Sequence, residues 1–498
     1  MIVSARPSGL RQTDAPYSFR SMRYLSTRDA RPQPATSGFE AALLAGLAED
    51  GGLYVPQAQP ALDAAALRGL AGLPYAELAA RIVALFAGEA FTAAELRGLT
   101  EAAYGTFGHA AVAPLVQLDE RLWLLELFHG PTLAFKDLAL QLLGRLFDAV
   151  LARRREQVTI IGATSGDTGS AALVACRDRA ALDIFMLYPH GRISEVQRRQ
   201  MTTVEASNAF AVAIEGNFDD CQDIVKALFA DPKLRAELNL SAVNSINFAR
   251  IAAQVVYYIS AGLALGAPGR GVSFSVPTGN FGNVYAGHLA RAMGLPIERL
   301  VIGTNANDVL ARYLTSGEMT IAPVVPSLSP SMDIQVASNF ERLLFELKGR
   351  NGGAVAAAVQ RFRQHGSLPA DEQAWRRARD LFSAHRVDDA LTLDMIANTY
   401  RRSGHLIDPH TAVAVAAARA EIARDAATTP MVALATAHPA KFPDAVARAT
   451  GVRPPTPPAL GEVMERRERI TVLPNDAGAV ARFLRAHARR ARPNLGAA

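Results

Sequence analysis

Lysine is scarce in this chain. Of its 52 basic residues only five are lysines, at positions 136, 226, 233, 348 and 441, and the other 47 are arginines. An arginine stays protonated near neutral pH, so it cannot take part in the Schiff-base chemistry open to a lysine with a lowered pKa. A lysine kept in such a chain is a candidate for that chemistry. Cysteine is scarcer still. Cys176 and Cys221 are the only two, both in helix-like stretches and far apart, which excludes a disulfide framework and zinc-ligand spacing and points to a reducing, cytoplasmic compartment. Long apolar runs are missing as well. The longest, such as 82–87 and 412–418, fall well short of the roughly 18 residues a membrane span needs, so neither a transmembrane helix nor a membrane partner is expected.

The net charge of +5 does not belong to the body of the chain. Residues 483–498 hold four arginines and no acid, residues 1–21 hold three arginines and one acid, and the stretch between sums to −1. Basic residues confined to chain ends, with no aromatics interleaved, read as solubilising tails, and no nucleic-acid partner is expected. Half of the residues are hydrophobic, enough to bury a large core in two or three domains. Residues 1–21 lack the apolar stretch of a secretory signal and are expected to form a flexible extension ahead of Met22.

Residues 22–112 are expected to form a small, mainly helical domain, with alanine-rich stretches such as AELAARIVALFAG. From 113 to 452 short apolar runs alternate with helical ones: VTIIG, GSAALVACRD, DIFMLYP, and later VSFSVP, NVYAGHLARAMG and RLVIGTN. Such alternation predicts right-handed βαβ units and a doubly wound, mostly parallel α/β region, here in two subdomains. Residues 341–425 read as arginine-rich helix and MVALA as one more buried strand. The proline-rich RPPTPP sets off a C-terminal segment and basic tail, 453–498.

In open α/β sheets ligands bind at the carboxyl ends of strands, where loops lead into helix N-termini. Four segments there carry unusual residues. Lys136 stands in FHGPTLAFKD, where Gly130 and Pro131 set a turn, Leu133, Ala134 and Phe135 desolvate an amine, and Asp137 is placed to balance its charge. After VTIIG, the amides and hydroxyls of Thr164, Ser165, Gly166, Asp167 and Thr168 suit a carboxylate or a phosphate. After VSFSVP, Gly279 and Gly282 in TGNFGN let the backbone approach an anion at a helix start. NSINFAR opens a long apolar helix with Asn244, Ser245 and Asn247 as donors and Arg250 as a bidentate oxyanion grip, although Ser245 or Asn247 can equally be a plain N-cap. Near the other end, MVALATAHPAKF puts Thr436 just after a strand and offers Lys441 as a second Schiff-base candidate; His438 receives no role.

Six segments, FHGPTLAFKD, TSGDTGSAA, NSINFAR, SVPTGNFGN, SMDIQVASNFERLLFE and TAHPAKF, stand in the order in which similar segments occur in threonine synthases of the branch with an N-terminal helical domain. The chain resembles that family from about residue 22 to 475. The resemblance implies a tryptophan-synthase-β-like, fold type II enzyme dependent on pyridoxal phosphate, which converts O-phospho-L-homoserine and water to L-threonine and phosphate. It implies further that Lys136 is the Schiff-base lysine, that Gly279, Asn280, Phe281, Gly282 and Asn283 hold the cofactor phosphate, and that the Thr436 hydroxyl faces the pyridine nitrogen. By analogy with related dehydratases, Asp167 is expected at the cofactor's phenolic oxygen. The substrate carboxylate is expected on Thr164, Ser165, Gly166 and Thr168, and its phosphate on Ser245, Asn247 and Arg250. No metal is expected, and the chain is expected to be a monomer or homodimer. Two readings compete: a serine or threonine dehydratase, whose substrate has no phosphate for Arg250 to grip, and a non-catalytic phosphate-ligand-binding relative, which has no use for Lys136.

Overall fold

A computed structural model describes residues 21–242, 245–368, 370–424 and 428–491. Most of the expected extension, residues 1–20, lies outside them. Two sheets dominate. The first has six strands in the spatial order Phe382–Arg386, Ile297–Thr304, Val272–Pro277, Met431–Ala435, Leu122–Glu126 and Leu115–Gln117, all parallel except the last pair. The second has five, all parallel, in the order Thr471–Pro474, Ala209–Glu215, Leu182–Pro189, Val158–Ala163 and Leu240–Ser241. Its central strand Leu182–Pro189 is buried at every residue, as a parallel strand covered on both faces must be, which explains why the part after Asp183, IFMLYP, reads as an apolar run and not as an alternation.

Three differences from the sequence reading have plain causes. The lead region is not purely helical: Arg23–Ser26 pairs antiparallel with both Ser37–Gly38 and Tyr54–Pro56 in a small sheet, strands too short to give a period. Within the supposed helical stretch 341–425, Phe382–Arg386 forms an edge strand beside Ile297–Thr304; FSAHR is polar because a sheet edge is half in water. The C-terminal segment is no loose tail. Thr471–Pro474 completes the second sheet, Arg485 pairs with Glu237 at 2.9 Å, and the Arg489 guanidinium meets the buried Asp183 at 2.7 Å. Arg492 falls among the residues not described.

The helix Phe248–Ala264 is the hub. Fourteen of its residues are buried, because it packs at once against Tyr75–Ala87 of the lead region, Lys136–Arg154 and Gly282–Ala292. The lead region is fastened by polar contacts as well. Arg28 pairs with Glu341 at 2.7 Å, and the fully buried Arg342 donates to the Tyr54 carbonyl at 3.0 Å and the Ile246 carbonyl at 2.5 Å.

At the end of strand Leu122–Glu126, the Glu126 carboxylate meets the Nε2 atoms of His129 and His405 at 2.8 and 3.0 Å. Burial pushes this carboxyl up, and the two histidine contacts more than offset it, holding it at about 2. A depressed carboxyl stabilises the fold above its unfolded pKa, near 4.3, and the contribution disappears as pH falls toward 2. Thermal melts from pH 5 to pH 2 should therefore fall less steeply for Glu126→Gln than for the parent chain; parallel curves would show that the contact carries no linkage.

Candidate active site

Four loops meet where the two sheets face each other, each at the carboxyl end of a strand. The loop carrying Lys136 follows Leu122–Glu126, and it is laid along the loop after Met431–Ala435 by bonds from the Phe135 N–H to the Thr436 carbonyl (2.8 Å) and from the His438 N–H to the Leu133 carbonyl (3.0 Å). The other two follow Val158–Ala163 and Val272–Pro277. They enclose a cleft lined by Lys136, Asp167, Thr168, Ser245, Arg250 and the whole stretch Gly279–Asn283, with Ser331, His410 and Thr436 closing it.

Lys136 opens the helix Lys136–Arg154 and is 9% exposed. Its Nζ lies 3.3 Å from Asp167 Oδ2 and 3.4 Å from Ser331 Oγ. Burial pulls its pKa down; Asp167 opposes this, and the cations Lys441 and Arg250 reinforce it. A larger neutral fraction makes a better nucleophile and a proton carrier.

Asp137 does not balance this charge. Its carboxylate turns away to accept from the Thr132 N–H and hydroxyl, both at 2.8 Å, and burial lifts it to about 6. Asp167 takes the part instead. Its Oδ1 meets Lys441 Nζ at 3.0 Å and Gln197 Nε2 at 3.1 Å, while Oδ2 serves Lys136 and Ser331. Burial pushes Asp167 up, but the two ammonium groups hold it well below the usual carboxylate range. An ionised carboxylate only accepts hydrogen bonds, which fits a counter-ion better than a partner for an anionic phenolic oxygen.

Lys441 is fully occupied. Its buried ammonium donates to the Thr132 carbonyl at 2.8 Å and to Gln200 Oε1 at 3.0 Å and pairs with Asp167. Three partners use all three donors, so it has no free reactive position.

Three buried donors in the cleft have no partner among the described residues: Arg250 Nε, Arg250 Nη1 and Asn283 Nδ2. Unpaired buried donors are costly unless a ligand satisfies them. Arg250 is 5% exposed, and burial draws it down to about 10 without discharging it at neutral pH. Asn283 is held rigid from its other side, its Oδ1 accepting from the Tyr257 and Tyr258 hydroxyls at 2.6 and 2.9 Å. Beside it the first-turn N–H groups of helix Gly282–Ala292 point into the loop TGNFGN. At Gly279 a Cβ would come within 2.8 Å of the Ser331 carbonyl, so only glycine lets the two loops close together. Phe281 adopts φ 64° and buries its ring edge-on against Phe340, 5.4 Å between centroids.

The expected substrate residues divide. Thr168, Ser245 and Arg250 line the cleft. Thr164 is buried, its hydroxyl accepting from the Gly166 and Gly169 N–H groups at 3.0 and 2.9 Å. Gly166 takes φ 141°, and a Cβ there would strike Gln197 at 2.3 Å; both residues shape the loop, while Ser165 is exposed. Asn247 is an N-cap, accepting from the Ala249 N–H at 3.0 Å and donating to the Leu43 carbonyl at 2.7 Å. Asn244 lies outside the described residues. Sequence reasoning missed Ser331 and His410. Ser331 stands in the quoted SMDIQVASNFERLLFE, but His410 had no signal. His410 Nε2 accepts from the Ser331 N–H at 3.3 Å, while Nδ1 meets the buried Asp408 at 2.7 Å. The dyad thereby fixes the loop whose hydroxyl touches Lys136.

Comparison with known proteins gives the family. Residues 23–104 match the family model for the threonine synthase N terminus, 107–364 that for pyridoxal-phosphate dependent enzymes, and 411–484 that for the threonine synthase C-terminal region. A threonine synthase of Pseudomonas aeruginosa is 54% identical over 473 residues, 95% of this chain and 100% of that protein. Among solved structures, a pyridoxal-phosphate-bound threonine synthase of Brucella melitensis superposes with a TM-score of 0.91 at 52% identity, covering 94% of this chain and 100% of that one. The yeast enzyme gives a TM-score of 0.89 at 40% identity, covering 93% and 98%. With full-length likeness of this strength, and a buried lysine facing unpaired anion donors, the chain belongs to the threonine synthase family of pyridoxal-phosphate-dependent enzymes.

Proposed function

We propose that this enzyme converts O-phospho-L-homoserine and water to L-threonine and inorganic phosphate. The observation that carries the proposal is the Arg250 guanidinium, buried and unpaired in the same cleft as Lys136, since a dehydratase substrate would leave that charge without an acceptor. We assign the cofactor to Lys136, to the amides of Gly279–Asn283 for its phosphate, and to Thr436 for its pyridine nitrogen. The site fits such a group: one reactive amine, one anion cradle at a helix N-terminus, and a hydroxyl at a strand end. Bound there, pyridoxal phosphate supplies the sink that spreads negative charge from the substrate's Cα.

The chain's own residues account for the rest. Thr168 and the N–H groups opening helix Asp167–Cys176 receive the substrate carboxylate. Ser245 and Arg250 hold its phosphate, so that the Cγ–O bond breaks toward a cation and phosphate leaves with the bonding pair. Lys136, which would also hold the cofactor, is the base placed to take the proton from the substrate's Cα and to move protons at Cβ and Cγ. Water then adds at Cβ, and Cγ ends as a methyl group. Asp167, anchored by Lys441, keeps an anion beside the lysine while its proton count changes. The buried, unpaired Cys176 and Cys221 fit a cytoplasmic setting, and a monomer or homodimer satisfies a cleft built wholly from one chain.

Incubation of the holoenzyme with O-phosphohomoserine should release phosphate and threonine in equal amounts. Phosphate with 2-oxobutanoate in place of threonine would favour elimination alone. A second test concerns Thr436. A hydroxyl can hydrogen-bond the pyridine nitrogen but cannot hold it protonated as a carboxylate would. Thr436→Asp should keep the bound cofactor, shift its visible spectrum on mixing with substrate, and slow threonine formation. An unchanged rate and spectrum would remove Thr436 from that position.

A further inference from the structure

Behind the cleft lies a second and larger cavity, of about 480 Å³. It opens between helix Lys136–Arg154, helix Asp167–Cys176 with the turn after it, and helix Pro458–Glu465. Arg145, Arg177, Arg179 and Arg466 line it against two acids, Asp178 and Glu462. Four positive charges against two negative leave +2. Arg466 is paired with Glu462 at 3.1 Å, whereas Arg145, Arg177 and Arg179 pair with no carboxylate among the described residues. Burial and the neighbouring guanidiniums of Arg179 and Arg177 draw Arg145 down to about 10, which leaves it charged at neutral pH.

A second observation points the same way. Gln141 lines this cavity, is 2% exposed, and its Nε2 has no hydrogen-bond partner among the described residues. Its Oε1 is already taken by Arg145 Nη1 at 3.0 Å, so the amide's free side can only donate. An unused buried donor beside three guanidiniums that have no carboxylate partner among the described residues calls for an acceptor-rich ligand.

We propose that this cavity binds a small metabolite bearing a phosphoryl or pyrophosphoryl group, at a site separate from the catalytic cleft. A phosphate monoester carries about −1.5 to −2 at neutral pH, which matches the +2 of the wall. The volume falls within the roughly 300–1,000 Å³ of small-molecule sites. The site also has a short connection to the chemistry. Gln200 lines the cavity, donates to the Thr132 carbonyl at 3.0 Å and accepts from Lys441; Lys441 in turn holds Asp167, the counter-ion of Lys136. An occupant that draws on Gln200 acts on the electrostatics of the reactive lysine, and by linkage the state of that lysine acts on the occupant's affinity.

Pyrophosphate is a suitable probe, measured by equilibrium dialysis against the holoenzyme at low ionic strength. In the Arg250→Ala background, which disables the phosphate grip of the catalytic cleft, it should still bind one site per chain. Adding Arg145→Gln should weaken that binding by about tenfold or more, as expected for a lost charge-assisted contact. Ala459→Trp, which fills the cavity and leaves every arginine in place, should do the same and guards against misfolding of the arginine variant. Absence of binding in Arg250→Ala, or undiminished binding in either cavity variant, overturns the proposal.

Discussion

Replacing Lys136 by alanine is expected to end threonine formation, with kcat falling by about 10⁴-fold, the upper range for loss of a single general acid–base group. The cofactor should also no longer be fixed to the protein by borohydride. Arginine at this position should do no better, because it cannot give up its proton. Peptide mapping of the reduced parent enzyme should find the label on Lys136. Lys441 provides the sharp contrast: it is as deeply buried and touches the same carboxylate, but all three of its N–H donors are engaged. A label on Lys441 would overturn the assignment.

Arg250→Ala is expected to raise KM for O-phosphohomoserine with little change in cofactor affinity. Loss of a buried charge-assisted contact costs about 2–5 kcal/mol, or roughly 30-fold to several thousandfold in affinity. Folding stability should respond the other way. Nε and Nη1 of Arg250 have no partner among the described residues, so removing this side chain strands no acceptor there and removes a desolvated charge; the ligand-free melting temperature should hold or rise. That opposite movement separates a binding residue from a packing residue. Equal loss of cofactor and substrate affinity would instead assign Arg250 to the cofactor phosphate or the fold.

The sequence made the α/β alternation legible because buried parallel strands are apolar along most of their length, as in VTIIG and DIFMLYP. The strand Phe382–Arg386 escaped because an edge position tolerates FSAHR, and nothing local distinguishes that from helix. Within the cleft, residues lying on strand-to-helix loops were legible: Lys136, Thr168, Arg250, Gly279 to Asn283 and Thr436 all reach it. The counter-ion was not, and the reason is geometric. Asp137 follows Lys136 on a helix, and adjacent helical residues point about 100° apart, so the nearest carboxylate in sequence cannot face the amine. Asp167, 31 residues away, can. Asn247 shows the opposite limit, since capping and ligand binding use the same chemistry and only its bond to Leu43 settles which one is served here. His410 and Ser331 meet across 79 positions, a distance over which one sequence carries no pairing signal.

The order of strands in the second sheet bears on how the chain is made. Ala209–Glu215 gains its outer neighbour only from Thr471–Pro474, so its hydrogen-bonding edge stays open until nearly the whole polypeptide has left the ribosome. The first sheet waits too, since Leu122–Glu126 pairs with Met431–Ala435. Synthesis therefore proceeds for some 250 residues past a strand that has no cover, a span of roughly 10 to 50 s at ordinary elongation rates. An unpaired edge of that kind is a template for pairing with other chains. A nascent chain stalled or clipped before Thr471 carries that edge into the cell, which makes the final strand the closure that separates a finished enzyme from an aggregation seed.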